Sequence, residues 1–486
     1  ASMPVIKRLI NYALWALAGF TVALIMLLYI QAASGPELEL WHTVDLGAEF
    51  TEKDADDVRT LEDYLQLEEV LFAQLDAAVY AHTATGPDQV LMRYSPGSAA
   101  DPRSRQPDWN RSFELKAAKP AGGILLLHGM SDSPYSLRAI GETLNRQGFL
   151  VLGMRMPGHG TIPSGLTTVR WQDMAAAVRI GMQHLSAAVG DKPVHIIGYS
   201  TGAPLALDFA LEAGQGRVGP VPASLVLVSP AIGVSPAAAL AKWKRRLSYL
   251  PGLDVLGWLT LEPEFDPYKY NSFATNAGEQ VFRLTRSVAG RIAGRAQSGA
   301  TGNFPPVLVL KSTVDATVST DAVVDNLLAH LSHPGNEFVL FDINRVAMKS
   351  PLLIDDPGPL TARLMQDDSL PFSLTLVANR APQSNELELR HKAPHSARVS
   401  RNETDGLAWP PGVISLSHVA LPFPPDDPLY GQRPAGNDDV LFLGQMSIQG
   451  ERGLMKIPSD WLLRLRHNPF YDYLEQRVVE WVDDIR

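Results

Sequence analysis

The chain has 486 residues, 45% of them hydrophobic, and a formal charge of -10 with no long basic run, which allows a large core with sizeable additions and excludes a disordered chain or a nucleic-acid footprint. The absence of cysteine excludes disulfides, thiolate metal sites and a cysteine nucleophile, so covalent chemistry must come from another side chain. No P-loop or dinucleotide-binding fingerprint is read.

Lys7 and Arg8 precede LINYALWALAGFTVALIMLLYI, an uncharged apolar run whose helix would be ~33 Å long and match a bilayer. Residues 1–34 are therefore expected to be a membrane anchor or signal segment. With the positive flank cytoplasmic, an anchor leaves the rest of the chain facing the periplasm or outside, at the inner membrane. Cleavage after a loose Ala32 and Ser34 signal, giving a secreted protein, is the alternative. Residues 35–119 read as an N-terminal extension: RTLEDYLQLEEVLFAQLDAAVY has helical spacing, and YSPGSAADPRSRQPDWNRS is a polar connection.

From residue 120 the pattern becomes regular. GGILLLHG, FLVLGMRMPGHG, VHIIG, ASLVLVSP, PPVLVLKS and EFVLFDIN are short apolar strands, and helical stretches such as SLRAIGETLNRQG and RWQDMAAAVRIGMQHLSAAVG stand between them. Such alternation predicts an α/β fold, a mostly parallel sheet flanked by helices on both faces. Core residues 120–230 and 305–345 are separated by 231–304, a stretch of helical composition with Trp243, Tyr249, Leu250, Trp258 and Leu259 as apolar positions, expected to form a cap or lid. EFVLFDIN is expected to be the last core strand. Residues 346–411 read as an insertion carrying a hairpin from PFSLTLVANR and NELELRHKA, and 412–486 as the final part of the core.

Ligands of such sheets bind at the carboxyl ends of the strands, where Gly198-Tyr199-Ser200-Thr201-Gly202 turns VHIIG into a helix. Glycines two residues either side of a serine suit a strand that reverses directly into a helix, and the serine hydroxyl is pushed out at the tip. The loop after LLLHG can aim the Met130 N–H at the same place as the Thr201 N–H, forming a two-donor oxyanion hole, with His128 orienting the loop. Asp315, in LKSTVDATVST, follows a strand and precedes a helix, where a carboxylate can accept from a histidine ring N–H or simply cap the helix. The histidine must follow Asp315 in the chain.

His391, His395, His418 and His467 are the candidates. His391 and His395 flank a turn among charged residues, and His330 and His333 end a helix. His418 follows the β-rich GVISLS and precedes a proline-stiffened loop, so it is expected to be the base, with His467, beside WLLRLR and before a C-terminal helix, as the rival.

The pieces LLLHGMSDSPYS, RMPGHGT, Trp171-x-Asp173, GYSTG and STVDATVS, over roughly Gly122 to Leu340, resemble serine hydrolases of the α/β-hydrolase superfamily, in the monoglyceride-lipase and carboxylesterase-like branch. The resemblance implies an enzyme cleaving carboxylic esters through an acyl-enzyme, in which Ser200 attacks, a histidine, expected to be His418, takes its proton, and Asp315 orients that histidine. The anchor falls outside the common pattern and rests on the apolar run, and the apolar cap adds the expectation of medium-chain or otherwise hydrophobic esters. No metal or organic cofactor is expected, and the partners implied are a hydrophobic ester and the membrane. A peptidase or amidase, a thioesterase and an inactive membrane-tethered binding protein stay open as alternatives.

Overall fold

The computed structural model describes residues 3–33, 35–233, 244–299, 304–315, 318–347, 353–432, 441, 443–444 and 464–485. Trp243, one of the apolar positions expected in the cap, lies outside them.

Six apolar stretches read as core strands form β2 (Gly123–Leu127), β3 (Leu150–Met154), β4 (Val194–Tyr199), β5 (Ser224–Val228), β8 (Val307–Ser312) and β9 (Glu337–Phe341). They belong to one ten-stranded sheet in the order β1-β3-β2-β4-β5-β8-β9-β10-β11-β12, where β1 is Phe113–Leu115, β10 is Ser373–Asn379, β11 is Glu386–Lys392 and β12 is Val399–Ala408. From β3 to β10 all neighbours are parallel, whereas β1, β11 and β12 pair antiparallel. A separate two-stranded ribbon pairs β6 (Trp258–Thr260) with β7 (Phe273–Ala274).

The continuous apolar strands are explained by burial on both faces. Leu125, Leu127, Ile196, Leu225, Leu227, Val307 and Val309 share one core with the helices α4 (Trp171–Val189), α5 (Gly202–Ala213) and α6 (Thr275–Gln297). The alternate residues Ile124, Leu126, Ile197, Val226, Val228, Leu308 and Leu310 share the opposite core with α3 (Arg138–Arg146) and the C-terminal helix α9 (Tyr471–Asp484). Period-two alternation within an all-apolar strand thus feeds two helix layers.

Three elements differ from the sequence reading. EFVLFDIN is not the last strand: after α7 (Thr320–Asn326), β9 and the short helix α8 (Gly358–Gln366), SLTLVAN enters parallel to β9 as β10, and the expected hairpin β10–β11 extends the main sheet instead of decorating it. Within 231–304, α6 packs on α4 and α5, so the second half of the expected cap is a core helix, and residues 244–274 hold the ribbon and a short turn of helix. GVISLS is not a regular strand; Asn344 ties it down, its N–H donating to the Ile414 carbonyl at 2.8 Å and its amide to the Val413 carbonyl at 2.9 Å. The spacing G-x-G-x-x-G does occur, at Gly214 to Gly219, but it follows α5 where a dinucleotide fingerprint would follow a strand.

The extension packs on the core through α2 (Leu61–Ala78), whose start is closed by reciprocal Thr60 and Asp63 bonds. Buried Arg155, just past β3, meets Glu68 at 3.0 Å and Glu49 at 2.9 Å. Asp173 of the Trp171-x-Asp173 motif caps α4 and also accepts from the Glu52 N–H at 2.9 Å, joining the extension to the core. α1 (Met3–Ala33) contains Ile10–Leu27, an uncharged and exposed window long and apolar enough to cross a membrane.

Candidate active site

Ser200 stands between β4 and α5 with φ at +52°, a left-handed conformation that costs a non-glycine residue about 1–2 kcal/mol. The surrounding backbone holds it there. Its N–H donates to the Val228 carbonyl at 3.0 Å, and its carbonyl accepts from Ala203 at 3.2 Å and Ala231 at 3.0 Å. A Cβ at Gly198 would lie 2.5 Å from the Gly202 carbonyl oxygen, and one at Gly202 would run into the Leu127 carbonyl. Both glycines are therefore demanded by close backbone approach, and together they set the Ser200 side chain at the carboxyl edge of the sheet.

The loop after β2 faces this elbow. A Cβ on Gly129 would sit 3.0 Å from the Ser200 Cβ, so loop and elbow are in direct apposition. His128 fixes the loop: its Nε2 accepts from the Met156 N–H at 3.0 Å, which leaves the Nδ1–H to donate to the Gly129 carbonyl at 2.8 Å. Burial, reinforced by neighbouring His159, holds the His128 pKa well below its ordinary value, so the ring is neutral. It joins the loops after β2 and β3, with both ring nitrogens engaged by backbone groups. The Tyr270 N–H donates to the Ser131 carbonyl at 2.7 Å, closing the loop from the other side. Among the described residues neither the Met130 nor the Thr201 N–H is taken up by a hydrogen bond.

Asp315 follows β8. Its Oδ1 accepts from the Val318 N–H at 3.1 Å, and its Oδ2 lies 3.2 Å from His418 Nδ1. The His418 segment is secured by the Ser417 hydroxyl on the Leu465 carbonyl at 2.6 Å and by the Tyr199 hydroxyl on the His418 carbonyl at 3.4 Å. The Tyr199 and His418 rings are 5.6 Å apart, so the residue directly before Ser200 packs beside the histidine that reaches Asp315.

The other histidines are elsewhere engaged. His467 Nδ1 is 3.1 Å from the Tyr430 carbonyl, and burial lowers its pKa. His391, on β11, meets the Thr375 hydroxyl at 3.0 Å, and His395 sits in a turn at φ +52°. His333 Nδ1 accepts from the Gly335 N–H.

Sequence reasoning missed several side chains around this centre. Fully buried Lys311 lies 3.9 Å from Asp315 Oδ2. In the loop after β2, burial raises the Asp132 pKa to about 6 against the opposing Lys269 charge. Tyr430 donates to Asp266 at 2.8 Å and Arg466 pairs with Asp266 at 3.2 Å, while Tyr135 and Arg138 hold Asp427 at 2.8 and 3.0 Å. These contacts bring together positions up to 292 residues apart, and no local spacing announces them. Only the polarity of Lys311 inside an apolar strand was a visible signal.

Residues 118–342 match the family Hydrolase_4, described as "Serine aminopeptidase, S33". Over 164 residues the chain is 27% identical to a thermostable monoacylglycerol lipase from Bacillus sp. (strain H-257), a stretch amounting to 33% of this chain and 61% of that relative, so less than two thirds of the relative's length is spanned. Similar solved structures include a monoacylglycerol lipase from Paleococcus ferrophilus, 22% identical, covering 48% of this chain and 89% of that one with a TM-score of 0.36. A soluble variant of monoglyceride lipase from Saccharomyces cerevisiae is 15% identical, covers 48% and 82% of the two chains, and has a TM-score of 0.37.

Proposed function

We propose that the chain is an α/β-hydrolase of the monoglyceride-lipase and esterase-like kind, and that it hydrolyses carboxylic esters through an acyl-enzyme on Ser200. The reading is supported above all by the 3.2 Å approach of His418 Nδ1 to Asp315 Oδ2 beside an elbow that holds Ser200 in the left-handed region. In this mechanism Ser200 Oγ attacks the ester carbonyl carbon and its proton passes to His418 Nε2. Asp315 accepts from Nδ1, holding the tautomer in which Nε2 is basic and stabilising the imidazolium. The oxyanion is received by the Met130 and Thr201 N–H groups, helped by the positive end of α5. The imidazolium then protonates the departing alcohol, and a water activated by His418 attacks the acyl carbon, releasing the acid and restoring Ser200.

We expect an apolar acyl site from the apolar composition of the segment that precedes α6, where Tyr249, Leu250 and Leu259 are exposed. Hydrolysis is expected to rise from acetate to medium-chain esters, each added methylene contributing up to about 0.8 kcal/mol until the site is filled. The measurement is kcat/KM across p-nitrophenyl esters of graded length, with thioesters and anilides alongside. A steady fall from acetate upward overturns the apolar site. A preference for anilides selects the second reading, a peptidase or amidase, which the description of the matched family favours.

We read α1 as a membrane anchor that leaves the catalytic part on the outer side. The expected result is that the chain fractionates with membranes, resists high-salt extraction and is released by detergent. Release by salt alone, or a mature protein lacking residues 1–34, contradicts the anchor.

A further inference from the structure

We propose that Lys311 is a positioning residue of this site: its ammonium, sealed within the sheet, holds the Asp315 carboxylate in the orientation and charge state that accepts from His418. The proposal rests on the triad reading above. Lys311 occupies β8 opposite Leu340 of β9, is fully buried, and donates to the Ser312 carbonyl at 2.9 Å. Its Nζ is 3.9 Å from Asp315 Oδ2, the same oxygen that stands 3.2 Å from His418 Nδ1. The other oxygen, Oδ1, already accepts from the Val318 N–H. Asp315 is thus held at both oxygens, with a cation on the one that faces the imidazole.

A lysine inside an apolar strand is costly unless its charge is matched, and Asp315 is the carboxylate within reach. The pairing has a chemical consequence beyond packing. A fixed positive charge behind Asp315 makes the carboxylate a poorer base, so the proton stays on His418 when the imidazolium forms. A cation on the same side also repels a positive charge placed on the ring, so it bears on where the acid limb of activity lies. Among the described residues, Tyr199 from the elbow is another titratable group beside His418, its ring 5.6 Å away. A neutral phenol adds no positive charge there.

The test compares the pH profile of kcat/KM in the full chain with those of Lys311→Met, which removes charge and donor, and Lys311→Gln, which keeps a donor for the Ser312 carbonyl. With the cation removed, the acid limb of kcat/KM is expected to move upward by about one pH unit in both variants. On the plateau, kcat falls about tenfold with KM changed less than about threefold. Folded variants with the parent acid limb overturn the proposal, as does a shift in Lys311→Met that Lys311→Gln abolishes, since that would mark a structural hydrogen bond. If neither variant folds, Lys311 serves the scaffold and the proposal also fails. Fluorophosphonate labelling of the unmodified chain, lost in Ser200→Ala, separates these outcomes from failure of the triad itself: a chain that is neither labelled nor active removes both readings.

Discussion

Replacing Ser200 with alanine is expected to lower ester turnover by a factor of at least about 10⁴ while leaving the fold in place. The size of the loss follows from the proposed covalent mechanism: without Oγ no acyl-enzyme forms, and the remaining donors can only assist direct attack by water. Stability should hold or improve slightly. The removed hydroxyl anchors none of the bonds that fix the elbow, which run through the Ser200 N–H and carbonyl to Val228, Ala203 and Ala231. The strain at φ +52° is carried by any non-glycine residue, alanine included. Purified Ser200→Ala that melts like the parent and keeps parental turnover would remove the serine from the chemistry.

The second large effect separates two histidines. His418→Ala is expected to reduce kcat by about 10⁴-fold, because in the proposed mechanism it removes the group that accepts the Ser200 proton. It also leaves Asp315 without its imidazole partner, so a modest loss of stability should accompany it. His467→Ala should instead act on the fold. Its ring is buried against the Tyr430 carbonyl, in a neighbourhood where Tyr430, Asp266 and Arg466 are linked, and its removal opens a cavity there. The expected loss is about 1–3 kcal/mol of stability with kcat per folded molecule within about tenfold of the parent. Thermal melts and active-site titration of both variants, measured in parallel, distinguish the roles. A folded but nearly inactive His467 variant beside an active His418 variant reverses the assignment.

How far the sequence reaches depends on whether a feature is local. Strands β2 to β5, β8 and β9 are legible because parallel strands buried on both faces are continuous apolar runs, and the elbow is legible because close backbone approach admits only glycine at positions 198 and 202. The fate of SLTLVAN is not legible. Its β character is local, but its pairing with β9 through α8 is a long-range choice that no residue in the strand encodes alone. The misplaced end of the sheet has this cause. It also explains why an all-apolar strand such as β8 reads correctly while the significance of Lys311 within it does not: its partner, Asp315, lies beyond the turn that ends the strand.

The histidine shows the same boundary. Chain order reduces the choice to residues after Asp315, and local composition ranks them, but the approach of His418 to Asp315 depends on contacts made far away in sequence. Asn344 holds the irregular segment Val413 and Ile414, Leu465 accepts from Ser417, and Tyr199 reaches the His418 carbonyl. GVISLS was expected to deliver the ring as a strand end. It is delivered by a tethered irregular segment, which gives up a sheet ladder but keeps its backbone groups paired through the asparagine.

The most direct measurement is the identity of the residue that becomes acylated. The full chain in detergent, treated with a fluorophosphonate and separately quenched during turnover of a medium-chain ester, should gain one adduct of the reagent's or acyl group's mass. Digestion and mass spectrometry should place it on Ser200, within the peptide that spans Gly198 to Gly202. An adduct on another residue, or steady ester hydrolysis that no fluorophosphonate blocks and that leaves Ser200 unmodified, would contradict an acyl-enzyme at this elbow.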